Sequence, residues 1–311
     1  MTKSIRNPGI DPRWPSVKTL VRWLDRMEPW PTADVVAYNA RSDAKNARNL
    51  PPSTFYLVSG GRKGAQAQRV MFQGKSWEHE MLAALGYSMV GERLHFFWHV
   101  EFRKLFPDHP QPLRMMDWES MVEHMAMAFA LGRTDEGIYH GYLTHSALNR
   151  AFQLQMSYEQ RHKCGLAFML RLFADWRGDV THAWPEFAYA EPVYEAILDT
   201  WRTEDPDALV PLLLAACDRH TYEGHPDVVK VFYDFSNTPR TPVEILLLFR
   251  LRELCGLKNP HLDHPLMAAP FDRMPEPQPA YVPDELVRGT LARVRADWPE
   301  FDGVLSLDAL H

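Results

Sequence analysis

Apolar residues recur along most of this chain at intervals of three or four, which is the spacing of one buried face of an α-helix. The clearest case lies between Pro242 and Gly256. Ile245, Leu248 and Phe249 share its apolar face. Proline is tolerated in a first helical turn because its missing N–H would have no partner there, and glycine supplies the left-handed residue that ends many helices. The sequence therefore predicts a helix here.

The same periodicity predicts ten further helices, several of them with Asp, Ser or Thr at the N-terminal cap. Their predicted bounds are Ser16–Arg26, Ala33–Ala47, Ser76–Leu85, Gly91–Leu105, Trp118–Gly132, Glu136–Gln153, Tyr158–Trp176, Pro192–Arg202, Asp207–Arg219 and Asp284–Ala296. Strand-like runs occur at Phe55–Val58 and Val70–Phe72, so one short β-hairpin is predicted near residues 54–73. The predicted fold class is mainly α, a helical bundle or solenoid-like array of antiparallel helices with that hairpin.

Proline and charge divide the chain into two predicted regions. Three prolines fall within Phe106–Leu113, which interrupts the helical pattern and predicts a boundary between residues 1–111 and 112–311. Residues 1–75 carry thirteen Lys and Arg against five Asp and Glu, whereas the remaining 236 residues carry 21 basic and 35 acidic residues. The first region is therefore a basic, helical N-terminal region, and the second is an acidic, all-helical domain.

The acidic excess is concentrated in residues 186–227, which contain ten acidic residues and only two basic ones, Arg202 and Arg219. Two interpretations are open: an ordinary solvated helical face, or a docking surface for a basic protein, since such a field steers oppositely charged partners. On the second interpretation the partner contacts are drawn from Glu186, Glu191, Asp199, Glu204, Asp205, Asp207, Glu223 and Asp227.

The composition indicates a water-soluble helical protein. Apolar residues make up 46% of the chain, yet no run approaches the roughly 20 apolar residues that a membrane helix needs. The N-terminus has no apolar core of a secretory signal, and the three cysteines are widely spaced within predicted apolar helices, which favours buried, reduced thiols. We therefore expect a cytoplasmic protein with no membrane partner.

Histidines supply the candidate metal ligands. His95 and His99 lie one turn apart on one helical face, as metal ligands can. The zinc-protease pattern would require Glu after the first His, where this chain has Phe96, and Glu92 with His95 is only half of a di-iron carboxylate motif. We therefore favour packing roles for both histidines and predict no metal and no cofactor.

Two other segments contain residue types that bind ligands. Asp218, His220 and His225 form a second possible ligand set, without the paired spacing of a metal site. The run Ser59–Gly64 is glycine-rich and could hold a phosphate, although it lacks the ending of a P-loop and a hairpin turn explains its glycines equally well. No catalytic motif is found, and no catalytic residue is predicted.

A series of landmarks in the second region resembles a known family. They are Leu172–Trp176, Trp201, Cys217–His220, Phe232 with Tyr233, Pro242–Ile245, Leu254–Leu257 and His264–Leu266. In order and spacing this pattern is similar to the all-helical PoNi-type immunity proteins of bacterial polymorphic toxins, including those of type VI secretion. The likeness covers about residues 112–300 and leaves the N-terminal third unmatched.

The resemblance implies an effector–immunity pair in interbacterial competition. The chain would then bind a cognate secreted toxin, expected to carry a basic nuclease domain, and occlude its active site or its assembly. It would not be an enzyme and would not itself bind nucleic acid. One alternative is a helical metal-dependent enzyme that uses His95 and His99, or Asp218, His220 and His225. Another is a regulatory protein whose basic N-terminal third binds nucleic acid or a membrane surface.

Overall fold

The computed structural model describes residues 9–25, 31–41, 52–107, 118–149, 163–179, 184–224, 234–235 and 237–311. These residues contain thirteen α-helices and three 3₁₀ helices and no β-strand, which confirms the mainly α prediction. The α-helices are α1 (Val17–Leu24), α2 (Ala33–Asn39), α3 (Ser53–Phe72), α4 (Glu78–Leu105), α5 (Trp118–Ala130), α6 (Thr134–Asn149), α7 (Cys164–Arg177), α8 (Pro192–Thr200), α9 (Val210–Glu223), α10 (Val243–Leu254), α11 (Glu285–Asp297), α12 (Phe301–Val304) and α13 (Leu307–Leu310). The 3₁₀ helices are Glu186–Tyr189, Asp207–Leu209 and Pro265–Met267.

The predicted β-hairpin at residues 54–73 is wrong, because this segment is the twenty-residue helix α3. Its glycines are not turn residues, and one of them, Gly60, allows the neighbouring helix α4 to approach closely. A Cβ added to Gly60 would lie 2.8 Å from the backbone nitrogen of Ser88, and one added to Gly91 would lie 2.7 Å from that of Leu57. The Gly-rich run at Ser59–Gly64 is therefore helical, and neither a hairpin turn nor a loop around a phosphate.

Helix α4 joins two helices that the sequence analysis predicts separately. It runs without interruption for 28 residues. Gly86, which lies in the predicted gap, faces the ring of Tyr281, and a Cβ there would approach that ring within 2.2 Å. The glycine in this helix is thus explained by a close aromatic contact and does not end the helix.

Contacts divide the chain into two compact units, each built from separated segments. Unit 1 comprises Met1–Leu20, Met125–Gly137 and Met156–Pro277, and unit 2 comprises Val21–His124, Ile138–Gln155 and Gln278–His311. The boundary predicted at Phe106–Leu113 falls largely outside the described residues and stays a prediction. None of the described helices combines the length and the apolar character that crossing a membrane requires.

Unit 2 is organised around the antiparallel pair α3 and α4. Tyr56 of α3 exchanges a hydrogen bond of 2.7 Å with Thr290 of α11, and Tyr87 of α4 donates to the Asp284 carboxylate at 2.5 Å. Asp284 also accepts from the backbone N–H of Val287, as an N-terminal cap of α11. These contacts place the α3–α4 pair and α11 in one core.

Helix α10 lies at the centre of unit 1, and nine of its twelve residues are buried. Gly256 has φ of +75°, and the N–H of Leu257 bonds to the carbonyl of Arg252 at 2.9 Å, which confirms the predicted glycine ending. Arg250 caps the end of α5 by donating to the carbonyls of Phe129 and Ala130. The C-terminal ends of both helices are therefore satisfied within the unit.

Candidate functional site

An exposed acidic turn, defined here as residues 199–207, lies on unit 1 and runs from the last residues of α8 to the first residue of the 3₁₀ helix that precedes α9. Its carboxylates are exposed and belong to Asp199, Glu204, Asp205 and Asp207. Among the described residues, no ion pair involves any of the four. Asp205 uses one oxygen to accept from the N–H of Asp207 at 3.1 Å, which shapes the turn without adding positive charge.

The single arginine within the turn is held by a carboxylate from another helix. Arg202 donates to the side chain of Asp175 on α7 and, at 2.7 Å, to its backbone carbonyl. The same Asp175 oxygen accepts from the indole N–H of Trp201 at 2.7 Å. The guanidinium of Arg202 lies 4.2 Å from the centre of the Trp201 ring, so it is fixed on that side by stacking as well.

A buried arginine holds the backbone of the acidic turn from inside the unit. Arg252 of α10 has no exposed surface, and its guanidinium donates to the carbonyls of Trp201, Thr203 and Lys258. Burial lowers the pKa of Arg252, and the guanidinium is stabilised in place by these three acceptors. The conformation of the turn is thereby set by the core of unit 1.

The remaining predicted contact residues are placed differently. Glu186 is exposed at the start of its 3₁₀ helix. Glu191 and Glu223 are half-buried and share Arg219, at 3.0 Å and 2.9 Å. Burial would lower the pKa of Arg219, but the two carboxylates outweigh this effect and raise the pKa. Asp227 lies outside the described residues. Of the eight predicted residues, the acidic turn therefore brings together four.

A network of Glu92, His124 and His140 lies in unit 2, and sequence analysis did not predict it. Glu92 and His140 are buried, and His124 is half-buried. Glu92 of α4 places one oxygen 2.6 Å from Nδ1 of His124 on α5 and the other 2.8 Å from Nδ1 of His140 on α6. Burial would raise the pKa of Glu92, but the two imidazoles lower it to about 2. One carboxylate thus connects three helices.

His95 and His99 occupy the same helix as Glu92 and are both buried. Their rings stack at 4.8 Å between centres with an angle of 21°. Burial lowers the pKa of His99 to about 4, and the nearby His95 and Arg103 act in the same direction. His99 is therefore neutral at pH 7.

The second predicted ligand set does not converge on one point. Asp218 lies 3.2 Å from Nε2 of His264, whereas Nδ1 of His220 lies 2.9 Å from Glu244 and its Nε2 donates to the carbonyl of Thr238. Both nitrogens of His220 are thus used within the fold. His225 lies outside the described residues. In the described part of the chain, no three His, Cys, Asp or Glu side chains are grouped as a metal site requires.

Two of the three cysteines match the prediction of buried thiols. Burial raises the pKa of Cys164 to about 12, so this thiol is not a nucleophile at neutral pH, and Cys217 is likewise buried. Cys255, which caps the end of α10, is exposed, and its predicted burial is wrong. It lies after the last buried residue of the helix, where the apolar face has ended.

A cavity of about 590 Å³ lies between α2 and α11 in unit 2. Asn39, which lines it, donates to the carbonyl of Leu286, and both oxygens of Asp284 accept hydrogen bonds from within the unit. The side chains of Asn39 and Asp284 therefore hold α11 in place. The acidic turn remains the best candidate site, because its carboxylates are exposed and are not neutralised by described residues.

Searches against protein-family models, curated proteins and solved structures gave no match to this chain.

Proposed function

We propose that this chain is a cytoplasmic immunity protein that binds and neutralises a cognate secreted antibacterial toxin. The toxin is a nuclease with a basic domain, delivered in interbacterial competition of the type VI kind. The chain acts by occluding the toxin's active site or its assembly and catalyses no reaction itself. The resemblance of residues 112–300 to PoNi-type proteins suggests this class of function.

One observation carries the proposal: four exposed carboxylates of the acidic turn are held on a fixed backbone and meet no described cation. A nuclease needs a cationic cleft to hold the phosphate backbone of its substrate. A fixed group of carboxylates is complementary to such a cleft and would compete with nucleic acid for it. Because the turn is already ordered, little conformational entropy is lost when it docks.

The test is growth protection in a strain that expresses the product of the neighbouring gene. We expect the unmodified chain to restore growth and to co-purify with that product. A variant with Asp199→Lys, Glu204→Lys and Asp207→Lys should fold normally and lose protection. If the unmodified chain neither forms a complex nor restores growth, the immunity function is rejected.

A matched control separates the position of the charges from their number. The variant with Asp272→Lys, Glu300→Lys and Asp308→Lys changes the net charge by the same amount at three other exposed carboxylates. It should protect as well as the unmodified chain. Equal loss of protection in both variants would place the binding surface away from the acidic turn.

A further inference from the structure

We infer that unit 1 carries a binding site for a short peptide turn, and that the chain's own residues 11–15, Asp-Pro-Arg-Trp-Pro, occupy it. The site consists of Thr221 near the end of α9 together with Pro239 and Arg240. The partner that it fits is a second copy of this turn, presented by another polypeptide. The site lies outside the acidic turn, and its occupancy is independent of the immunity function.

The N-terminal turn, as residues 11–15 are called here, is shaped by its own hydrogen bonds. The N–H of Trp14 donates to the carbonyl of Asp11 at 3.0 Å, which closes a β-turn with Asp in the first position and Pro in the second, residues that such turns favour. The Asp11 carboxylate accepts from the backbone N–H of Arg13 at 2.8 Å and from its guanidinium at 2.9 Å and 3.1 Å. These local bonds favour the bound shape in a separate peptide as well, which lowers the entropic cost of binding.

Three contacts join the first and fourth residues of the N-terminal turn to the site. The N–H of Asp11 donates to Oγ1 of Thr221 at 2.8 Å, and the indole N–H of Trp14 donates to the carbonyl of Pro239 at 2.6 Å. The guanidinium of Arg240 lies 3.6 Å from the centre of the Trp14 ring. Trp and Arg are the residue types that most often dominate the binding energy of an interface, so this stacked pair is the expected anchor.

Arg240 also contacts the last residue of the N-terminal turn, because its guanidinium donates to the carbonyl of Pro15. The residues that flank the turn do not extend this contact into an apolar core, since the side chains of Ile10 and Val17 are exposed. The turn is therefore held by one aromatic anchor and by hydrogen bonds, which is how a short peptide is bound.

A turn that is tethered to its own site competes with the same turn in solution. Short tethers give effective concentrations in the millimolar range, so the unmodified chain should largely exclude a free peptide. Trp14→Ala removes the stacking and the indole hydrogen bond but leaves Thr221, Pro239 and Arg240 unchanged. This variant should therefore open the site to a peptide from solution.

The experiment measures the anisotropy of a fluorescent peptide with the sequence of residues 9–16, added to the unmodified chain and to Trp14→Ala. Trp14→Phe is a second, milder variant, because it keeps an aromatic ring and loses the indole N–H. Circular dichroism verifies that each protein is folded. The control peptide has Ala in place of Trp and reports binding that does not use the anchor.

A matched pair of arginine variants locates the bound peptide. Arg240→Gln and Arg288→Gln are each combined with Trp14→Ala. Arg288 likewise donates to a proline carbonyl, that of Pro283, but it lies in unit 2. Both changes remove one positive charge, so a difference between them reports position and not net charge.

We expect Trp14→Ala to bind the peptide saturably with a Kd below about 1 mM, and the unmodified chain to bind it at least about tenfold more weakly. The control peptide should bind Trp14→Ala at least about tenfold more weakly than the peptide with Trp. Arg240→Gln should weaken peptide binding at least about fivefold, and Arg288→Gln less than about twofold.

Three results would overturn the inference. The first is the absence of saturable binding to both Trp14→Ala and Trp14→Phe. The second is equal binding to the unmodified chain and to Trp14→Ala, which would mean that the N-terminal turn does not cover the peptide's site. The third is an equal effect of Arg240→Gln and Arg288→Gln, which would place the peptide elsewhere on the chain.

Discussion

Glu92 shows how a single residue can retain a charge in the interior of this protein. Burying a carboxylate is costly, but imidazole nitrogens of His124 and His140 lie 2.6 Å and 2.8 Å from its two oxygens, and the resulting pKa lies at about 2. The folded state therefore favours the ionised form of Glu92 more strongly than the unfolded state does. The contribution of Glu92 to the free energy of unfolding is complete above pH 4.5 and is lost as the pH falls toward 2.

The first prediction concerns Glu92→Gln. We expect the free energy of unfolding at pH 7 to fall by about 3 kcal/mol, because the amide cannot replace a carboxylate between two imidazoles. The difference in the free energy of unfolding between the variant and the unmodified chain should shrink as the pH falls from 4.5 to 2, because the carboxylate is protonated. Urea unfolding across this range provides the measurement. A difference that stays constant down to pH 2 would contradict the depressed pKa.

The second prediction concerns His99, whose pKa lies at about 4 in the folded chain because of burial. The unfolded state, with a pKa near 6.5, binds a proton first, so stability should decrease as the pH falls from 6.5 to 4. His99→Gln should therefore reduce the slope of the free energy of unfolding against pH, by up to about 1.4 kcal/mol per pH unit. His261→Gln, at an exposed position, is the control and should leave the slope unchanged. An unaltered slope in His99→Gln would show that the ring is not buried as described.

At the scale of elements, α3 and α4 depend on small residues at their contact. Gly60 meets the backbone of Ser88, whereas a Cβ added to the adjacent Gly61 would meet nothing within 4 Å. The two glycines thus have opposite roles in one helix. Gly60 allows close approach, and Gly61 only lowers helix propensity.

The third prediction compares substitutions at these two positions. Gly60→Ala should destabilise unit 2 by about 1–3 kcal/mol, because the added methyl group overlaps Ser88. Gly61→Ala should stabilise the chain by about 0.5–1 kcal/mol through helix propensity alone. Thermal unfolding of both variants provides the comparison. Stabilisation of equal size in both would mean that α3 and α4 do not approach closely at Gly60.

Sequence analysis succeeded where local pattern determines structure. The helix from Val243 to Leu254 and its ending at Gly256 follow from apolar spacing and from one left-handed residue. It failed at α3, because glycines that serve a contact with a helix thirty residues away look locally like turn residues. The Glu92 network was missed for the same reason, since its imidazoles lie 32 and 48 positions further along the chain.

The candidate site was predicted in part. The excess of acidic residues over 186–227 is visible in the sequence, but their ion pairing is not. Arg219 engages Glu191 and Glu223, while Asp175, which lies outside that segment, engages Arg202. Which carboxylates stay uncompensated therefore depends on contacts between helices and could not be deduced from local composition.

At the scale of the whole molecule, the formal net charge of −6 conceals a marked segregation of charge along the chain. A distributed negative charge would attract any basic protein weakly and without orientation. A turn with four fixed carboxylates gives a localised field, which accelerates encounter and selects an orientation. Binding should therefore depend strongly on salt, and mainly through the association rate.

The claim that the acidic turn receives the partner is tested most directly by the association rate constant between the purified chain and the product of its neighbouring gene. It should be measured at low and at physiological salt. We predict a rate that falls with salt, and a reduction of at least about tenfold at low salt when Asp199, Glu204 and Asp207 are changed to Lys. The control changed at Asp272, Glu300 and Asp308 should stay within about threefold of the unmodified chain. Equal rates for the two variants, or a rate independent of salt, would contradict the central claim that the acidic turn receives the partner.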